Sequence, residues 1–123
     1  MASSTLIPSV EESTTLNKLS QIYQARGDYE TAQRYLEESL AIQRAIGDRA
    51  GLCIALLNIS HIYWKKEEHQ QALAYWIRTY QIAKEIDYTE VLAALENLAK
   101  RLGGSGLEYW ERLSQQAGAG TVE

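Results

Sequence analysis

The chain has no phenylalanine, one proline, one cysteine and two histidines among its 123 residues. Each shortage closes off an explanation. A single cysteine, Cys53, cannot form an internal disulfide; it falls in an apolar run where a small buried residue fits, so a packing role in a reducing compartment is expected. His61 and His69 fall on different predicted helices, and no cysteine or carboxylate completes a metal-ligand spacing with them, which argues against a metal centre. No segment approaches the ~18 uninterrupted apolar residues of a membrane span, and the opening MASSTLIPSVEE lacks the basic and apolar regions of a signal peptide. A soluble, cytoplasmic protein is therefore expected. The formal charge of −4 and pI near 5.2 give no general attraction to nucleic acid or to an anionic membrane. The run Gly103-Gly104-Ser105-Gly106 lacks the lysine and preceding strand of a phosphate loop and reads as a helix breaker, so no cofactor is expected.

What is present points to helix. Hydrophobic residues make up 46% of the chain, which argues against disorder, and alanine, leucine, glutamate and glutamine are abundant. The length suits one domain with its own core. Residues 1–8 read as a loose leader, 9–117 as the ordered domain and 118–123 as a fraying tail. Ser9 with Glu12 has the spacing of a capping box, although Ser13 would cap equally well. The first predicted helix reaches about Ala25 with Leu16, Leu19, Ser20, Ile22 and Tyr23 on one face. Gly27-Asp28 and Gly47-Asp48 each combine a stop with a start, since glycine takes the left-handed conformation that ends one helix and aspartate caps the next. Helices follow over about 28–46, 49–66 and 69–86. At the turn between the last two, Glu67-Glu68 stands where the first hairpin has Gly27-Asp28, a less comfortable residue for a left-handed position. A fifth helix carries Val91, Leu92, Leu95, Leu98, Ala99 and Leu102, and a sixth, about 106–117, carries Leu107, Trp110 and Leu113. The adjacent pairs Glu11-Glu12, Glu37-Glu38 and Glu67-Glu68 diverge around a helix and read as solvent faces.

The chain repeats itself. LSQIY (Leu19–Tyr23) lies over ISHIY (Ile59–Tyr63) at a shift of 40, and the same shift superposes Ala32 on Ala72, Tyr35 on Tyr75 and Ile42 on Ile82. A shift of 34 sets Ala72–Arg78 over Gly106–Arg112, and a shift of 39 sets Leu56–Asn58 over Leu95–Asn97. Three helical hairpins result, about 13–48, 49–88 and 89–117, the last shortened around Gly103–Gly106. One such hairpin cannot bury its apolar face; stacked copies can.

On these residues the chain resembles the tetratricopeptide repeat (TPR) family, whose pattern runs W-x₂-L-G-x₂-Y, then alanine, then an aromatic four residues on. Leu16, Leu19, Ser20, Tyr23, Ala32 and Leu36 supply it in the first repeat; Leu56, Ile59, Ser60, Tyr63, Ala72 and Trp76 in the second; Leu95, Leu98, Ala99 and Leu102 in the third. The family's terminal proline is replaced by Arg44 and Lys84, and the 40-residue shift is similar to the longer repeats of kinesin light chains and many bacterial regulators. The resemblance implies an all-α fold, a right-handed solenoid of about three repeats and six helices. Trp76 and Trp110, at the aromatic position, are expected to be structural.

The resemblance also implies where function lies. In the family the first helix of each pair lines a concave surface that receives an extended peptide or a helix. By matching position that lining is Thr14, Asn17, Lys18, Gln21 and Gln24; Ile54, Leu57, Asn58, His61, Trp64 and Lys65; and Ala93, Glu96, Asn97 and Lys100. Asn17, Lys18, Gln21, Gln24, Asn58, His61, Trp64, Lys65, Asn97 and Lys100 are the candidate peptide-binding set. Asn58 and Asn97 occupy equivalent positions, and a carboxamide both donates to and accepts from a peptide backbone. Lys18, Lys65 and Lys100 against Glu96 favour an acidic partner segment. Two placements suit Trp64, at the groove or beneath the neighbouring helix. The expected function is a non-enzymatic interaction module with a protein or peptide partner. The alternatives are a scaffold that homo-oligomerises through end-face residues Leu107, Tyr109 and Trp110, or a regulatory segment of a larger signalling protein.

Overall fold

The computed structural model describes residues 9–117, so the expected leader 1–8 and tail 118–123 lie outside the described residues. Six helices follow one another: α1 Val10–Ala25, α2 Tyr29–Ile46, α3 Arg49–Lys65, α4 His69–Ile86, α5 Thr89–Arg101 and α6 Leu107–Ala117. There is no strand among the described residues. The helices pair as three hairpins, α1 with α2, α3 with α4 and α5 with α6, and successive hairpins stack through α2 on α3 and α4 on α5.

One backbone turn is used five times. The N–H of the turn residue reaches back three positions and the next N–H five: Gly27 to Gln24 and Asp28 to Tyr23, Gly47 to Arg44 and Asp48 to Gln43, Glu67 to Trp64 and Glu68 to Tyr63, Asp87 to Lys84 and Tyr88 to Ala83, Gly103 to Lys100 and Gly104 to Ala99. Each closes the orphan carbonyls of a helix end. The first residue of each pair is left-handed, including Glu67 at φ 64° and Asp87 at φ 57°, where a side chain is uncomfortable. Asp28 and Asp48 then cap α2 and α3, their Oδ1 atoms accepting from the N–H groups of Thr31 and Gly51, whereas Glu68 and Tyr88 make no such bond. At the start of the chain Ser9, not Ser13, is the cap: Ser9 Oγ accepts from Glu12 N at 3.1 Å, and Ser13 is buried against α2, where its carbonyl accepts from Ser39 Oγ.

Small residues let the helices cross closely. Ser20, Ala32, Ser60, Ala72 and Ala99 are wholly buried, and Leu36, Leu56, Ile59, Leu95, Trp76 and Trp110 fill the space between helices. The repeats show in the details: Tyr23 stacks on Tyr35 at 5.7 Å, and Tyr63, 40 positions on, stacks on Tyr75 at 5.3 Å.

Two placements differ from expectation. Ile22 is 48% exposed rather than part of the packing face, although its counterpart Ile62 is wholly buried. Among the described residues α1 has no helix before it to cover that side, as α2 covers α3. Trp110 is wholly buried, donating its indole N–H to the Leu95 carbonyl at 2.7 Å, so it is not part of an exposed end face; Leu107 and Tyr109 are half-buried. Its match to Trp76 outweighs its place near the end of the chain. The third hairpin is also looser. α5 touches α6, and α4 touches α5, much less than the matching helices of the first two repeats do, because the arms are short around Gly103–Gly106.

Candidate partner-binding groove

The inner helices α1, α3 and α5 carry the ten candidate residues, and the structure divides them. On α1, Asn17 and Gln24 are half-buried while Lys18 and Gln21 are exposed. On α3, Asn58, His61 and Trp64 are half-buried and Lys65 is exposed; on α5, Asn97 and Lys100 are exposed. Asn58 and Asn97, equivalent by register, thus differ in burial.

Two of the carboxamides are unsatisfied. Asn17 Oδ1 and Asn58 Nδ2 are out of water and without a hydrogen-bond partner. Such an atom costs ~1–3 kcal/mol, as do those of Gln43 and Trp76 elsewhere in the stack.

His61, Trp64 and Lys65 are brought together. They line a cavity of about 410 Å³ with Trp76 of α4 and Leu98, Arg101 and Leu102 of α5. Trp64 lines the cavity, and it also stacks on His69 at 3.9 Å and leans on Trp76 at 5.4 Å. His61 meets the Trp76 ring edge-on at 5.6 Å. Burial, reinforced by the nearby charges of Arg101 and Lys65, holds the imidazole below its usual range, so it is neutral at pH 7. Lys100 does not join this cluster; its Nζ faces Glu96, one turn earlier on α5, at 3.8 Å. Neither Lys65 nor Arg101 has an acidic partner among the described residues.

Sequence reasoning missed Arg101, Leu98 and Leu102 as lining and assigned Trp76 to packing alone. The signal for Arg101 was available: it matches Ile62 at a shift of 39, and a guanidinium where the previous repeat buries an isoleucine announces that α5 is not covered as α3 is.

No group of three or more histidine, cysteine, aspartate or glutamate side chains that could hold a metal occurs among the described residues, and no described helix is long and apolar enough to cross a membrane. Comparison with known proteins finds the family described as tetratricopeptide repeat over residues 11–85, from the first turn of α1 to the end of α4. Neither the curated proteins nor the solved structures give a match. Repeats of this family generally mediate protein–protein interactions and are typically not enzymes themselves. With more than half its length matched and three stacked helical hairpins, the chain belongs to the tetratricopeptide repeat family.

Proposed function

We propose that the protein is an interaction module that grips a segment of a partner protein along α1, α3 and α5 and performs no chemistry of its own. The observation that carries this reading is the pair of half-buried carboxamides, Asn17 on α1 and Asn58 on α3, whose side chains make no hydrogen bond to another described residue. A partner's main chain supplies both an N–H and a C=O in every residue, and so matches carboxamides, which donate and accept, whatever its side chains are. Asn97, Gln21 and Gln24 extend the same polar lining toward its two ends.

The test is capture of partner from lysate by the full chain and by a variant carrying Asn17→Ala and Asn58→Ala. The protein bound by the parent should be lost from the variant while helicity by circular dichroism stays unchanged. Retention of the same partner by a folded double variant would show that these helices do not hold it.

A further inference from the structure

The looser third hairpin leaves an opening between α3 and α5. α1 lies against α3, but α5 does not close against α3 in the same way, and the cavity lies between them with Trp76 from α4 beneath. Its walls are of two kinds. Trp64 and Leu102 present apolar surface over the buried Trp76 and Leu98, and Lys65 and Arg101 are exposed residues at its edge.

We propose that this cavity sets the register of the bound segment: one large apolar side chain of the partner enters it, and the carboxylate of an adjacent acidic residue meets Lys65 and Arg101. The proposal rests on the reading of α1, α3 and α5 as the binding surface and adds what the segment must contain. Water held against the half-exposed Trp64 and Leu102 is displaced favourably by an apolar group, and the volume lies in the usual range for a binding pocket. The charges select the neighbour. Acidic residues outnumber basic ones by 16 to 12 in the whole chain, yet Lys65 and Arg101 have no acidic partner among the described residues at this apolar opening. Lys66 and Lys84, by contrast, are each paired with a glutamate from another helix, Glu30 and Glu111. Two free cations suit one carboxylate and are too few for a nucleic-acid backbone, which the chain's net negative charge also repels. The acidic residue must adjoin the apolar one, since consecutive Cα atoms lie only ~3.8 Å apart and the cations edge the cavity itself.

The experiment titrates the ¹⁵N-labelled full chain with end-capped peptides of serine and glycine containing Leu-Glu, Ala-Glu, Leu-Gln or Leu-Lys at the centre. The indole signals of Trp64 and Trp76 report directly on the cavity, and that of Trp110, which does not line it, is the internal comparison. The Leu-Glu peptide should shift the Trp64 and Trp76 signals saturably. Alanine for leucine, or glutamine for glutamate, should weaken binding by roughly tenfold. Charge reversal with Lys65→Glu and Arg101→Glu should transfer the preference to Leu-Lys. The proposal is overturned if Leu-Glu leaves Trp64 and Trp76 unmoved at about millimolar concentration, if Leu-Gln binds as well as Leu-Glu, or if charge reversal leaves the preference unchanged. The Asn17/Asn58 capture experiment decides the wider groove separately: capture lost there with no cavity binding here leaves the groove standing without this subsite.

Discussion

Ser60→Ala is expected to stabilise the protein, although it deletes a buried, satisfied hydroxyl. Trp76 and Trp110 hold the same place in successive repeats, yet only Trp110 has an acceptor for its indole N–H, the Leu95 carbonyl. The matching carbonyl in the second repeat is that of Leu56, and it already accepts from Ser60 Oγ at 2.7 Å. Ser60 is replaced in the third repeat by Ala99, which makes no such bond. Alanine at position 60 removes the competitor and opens the Leu56 carbonyl to Trp76. Satisfying a buried N–H is worth ~1–3 kcal/mol. The lost hydroxyl takes its own need for a partner with it, alanine is the better helix former by up to about 0.5 kcal/mol, and an oxygen-sized void offsets about 0.3 kcal/mol. The net gain is about 1–2 kcal/mol. Urea denaturation should show a higher midpoint at unchanged slope, and the Trp76 indole proton should exchange more slowly. Ala99→Ser is the reciprocal change and should cost ~1–3 kcal/mol by crowding Trp110 off its acceptor. A destabilised Ser60→Ala, or an Ala99→Ser as stable as the parent, would refute the competition.

Two further outcomes are expected from the structure. Glu67→Gly combined with Glu68→Asp restores the Gly-Asp turn of the first hairpin; relief of the left-handed side chain and the new cap should together raise stability by about 1–2 kcal/mol, and an unchanged urea midpoint would show that the turn carries no strain. The pH dependence of His61 has a definite sign. Its folded-state pKa is lowered, first by burial and then by Arg101 and Lys65, so the unfolded chain takes up the proton more readily. Stability is complete above the ordinary histidine range and falls as pH drops through it toward the folded-state value. His61→Gln should therefore lose less stability than the parent between pH 7.5 and 5.5, roughly one pH unit either side of the ordinary value; parallel profiles would mean that the imidazole is not held neutral.

Periodicity made the helices legible, and the reason is visible in the turns. Gly27, Gly47 and Gly103 and the aspartates at 28 and 48 mark boundaries by chemistry that works locally, so the helix ends agree with the structure to within about a residue, the ordinary limit of such boundaries. The turn at Glu67 carries no such chemistry, and only the repeat located it. Burial at the ends of the stack was harder to read. Ile22 and Trp110 have their partners, or lack them, because of which helices neighbour them, and an apolar pattern along one helix says nothing of that. The cavity was half legible. His61, Trp64 and Lys65 follow from position in the second repeat, whereas Arg101, Leu98 and Leu102 line it because α5 sits differently from α3, which depends on the shortened arms.

That shortening links the fold to the site. In the first two repeats the position after His61 and its counterpart Gln21 is isoleucine, and in the third it is Arg101. A guanidinium could not occupy the wholly buried site of Ile62 without losing its hydration, so its presence requires that α5 stand off from the preceding helices. Standing off leaves Trp64 half-exposed over the buried Trp76, with Arg101 and Lys65 at the edge of the same opening. Two like charges at one opening repel, and His61 is kept from adding a third by being buried against the Trp76 ring. An incoming carboxylate reverses the balance at once: it pairs with both cations and raises the proton affinity of His61. Acidification from pH 7.5 toward 6, across the ordinary histidine range, should therefore tighten binding of the Leu-Glu peptide while it weakens the free fold. Binding that is flat across that interval, in a protein whose Trp64 and Trp76 signals respond to the peptide, would place the carboxylate away from His61.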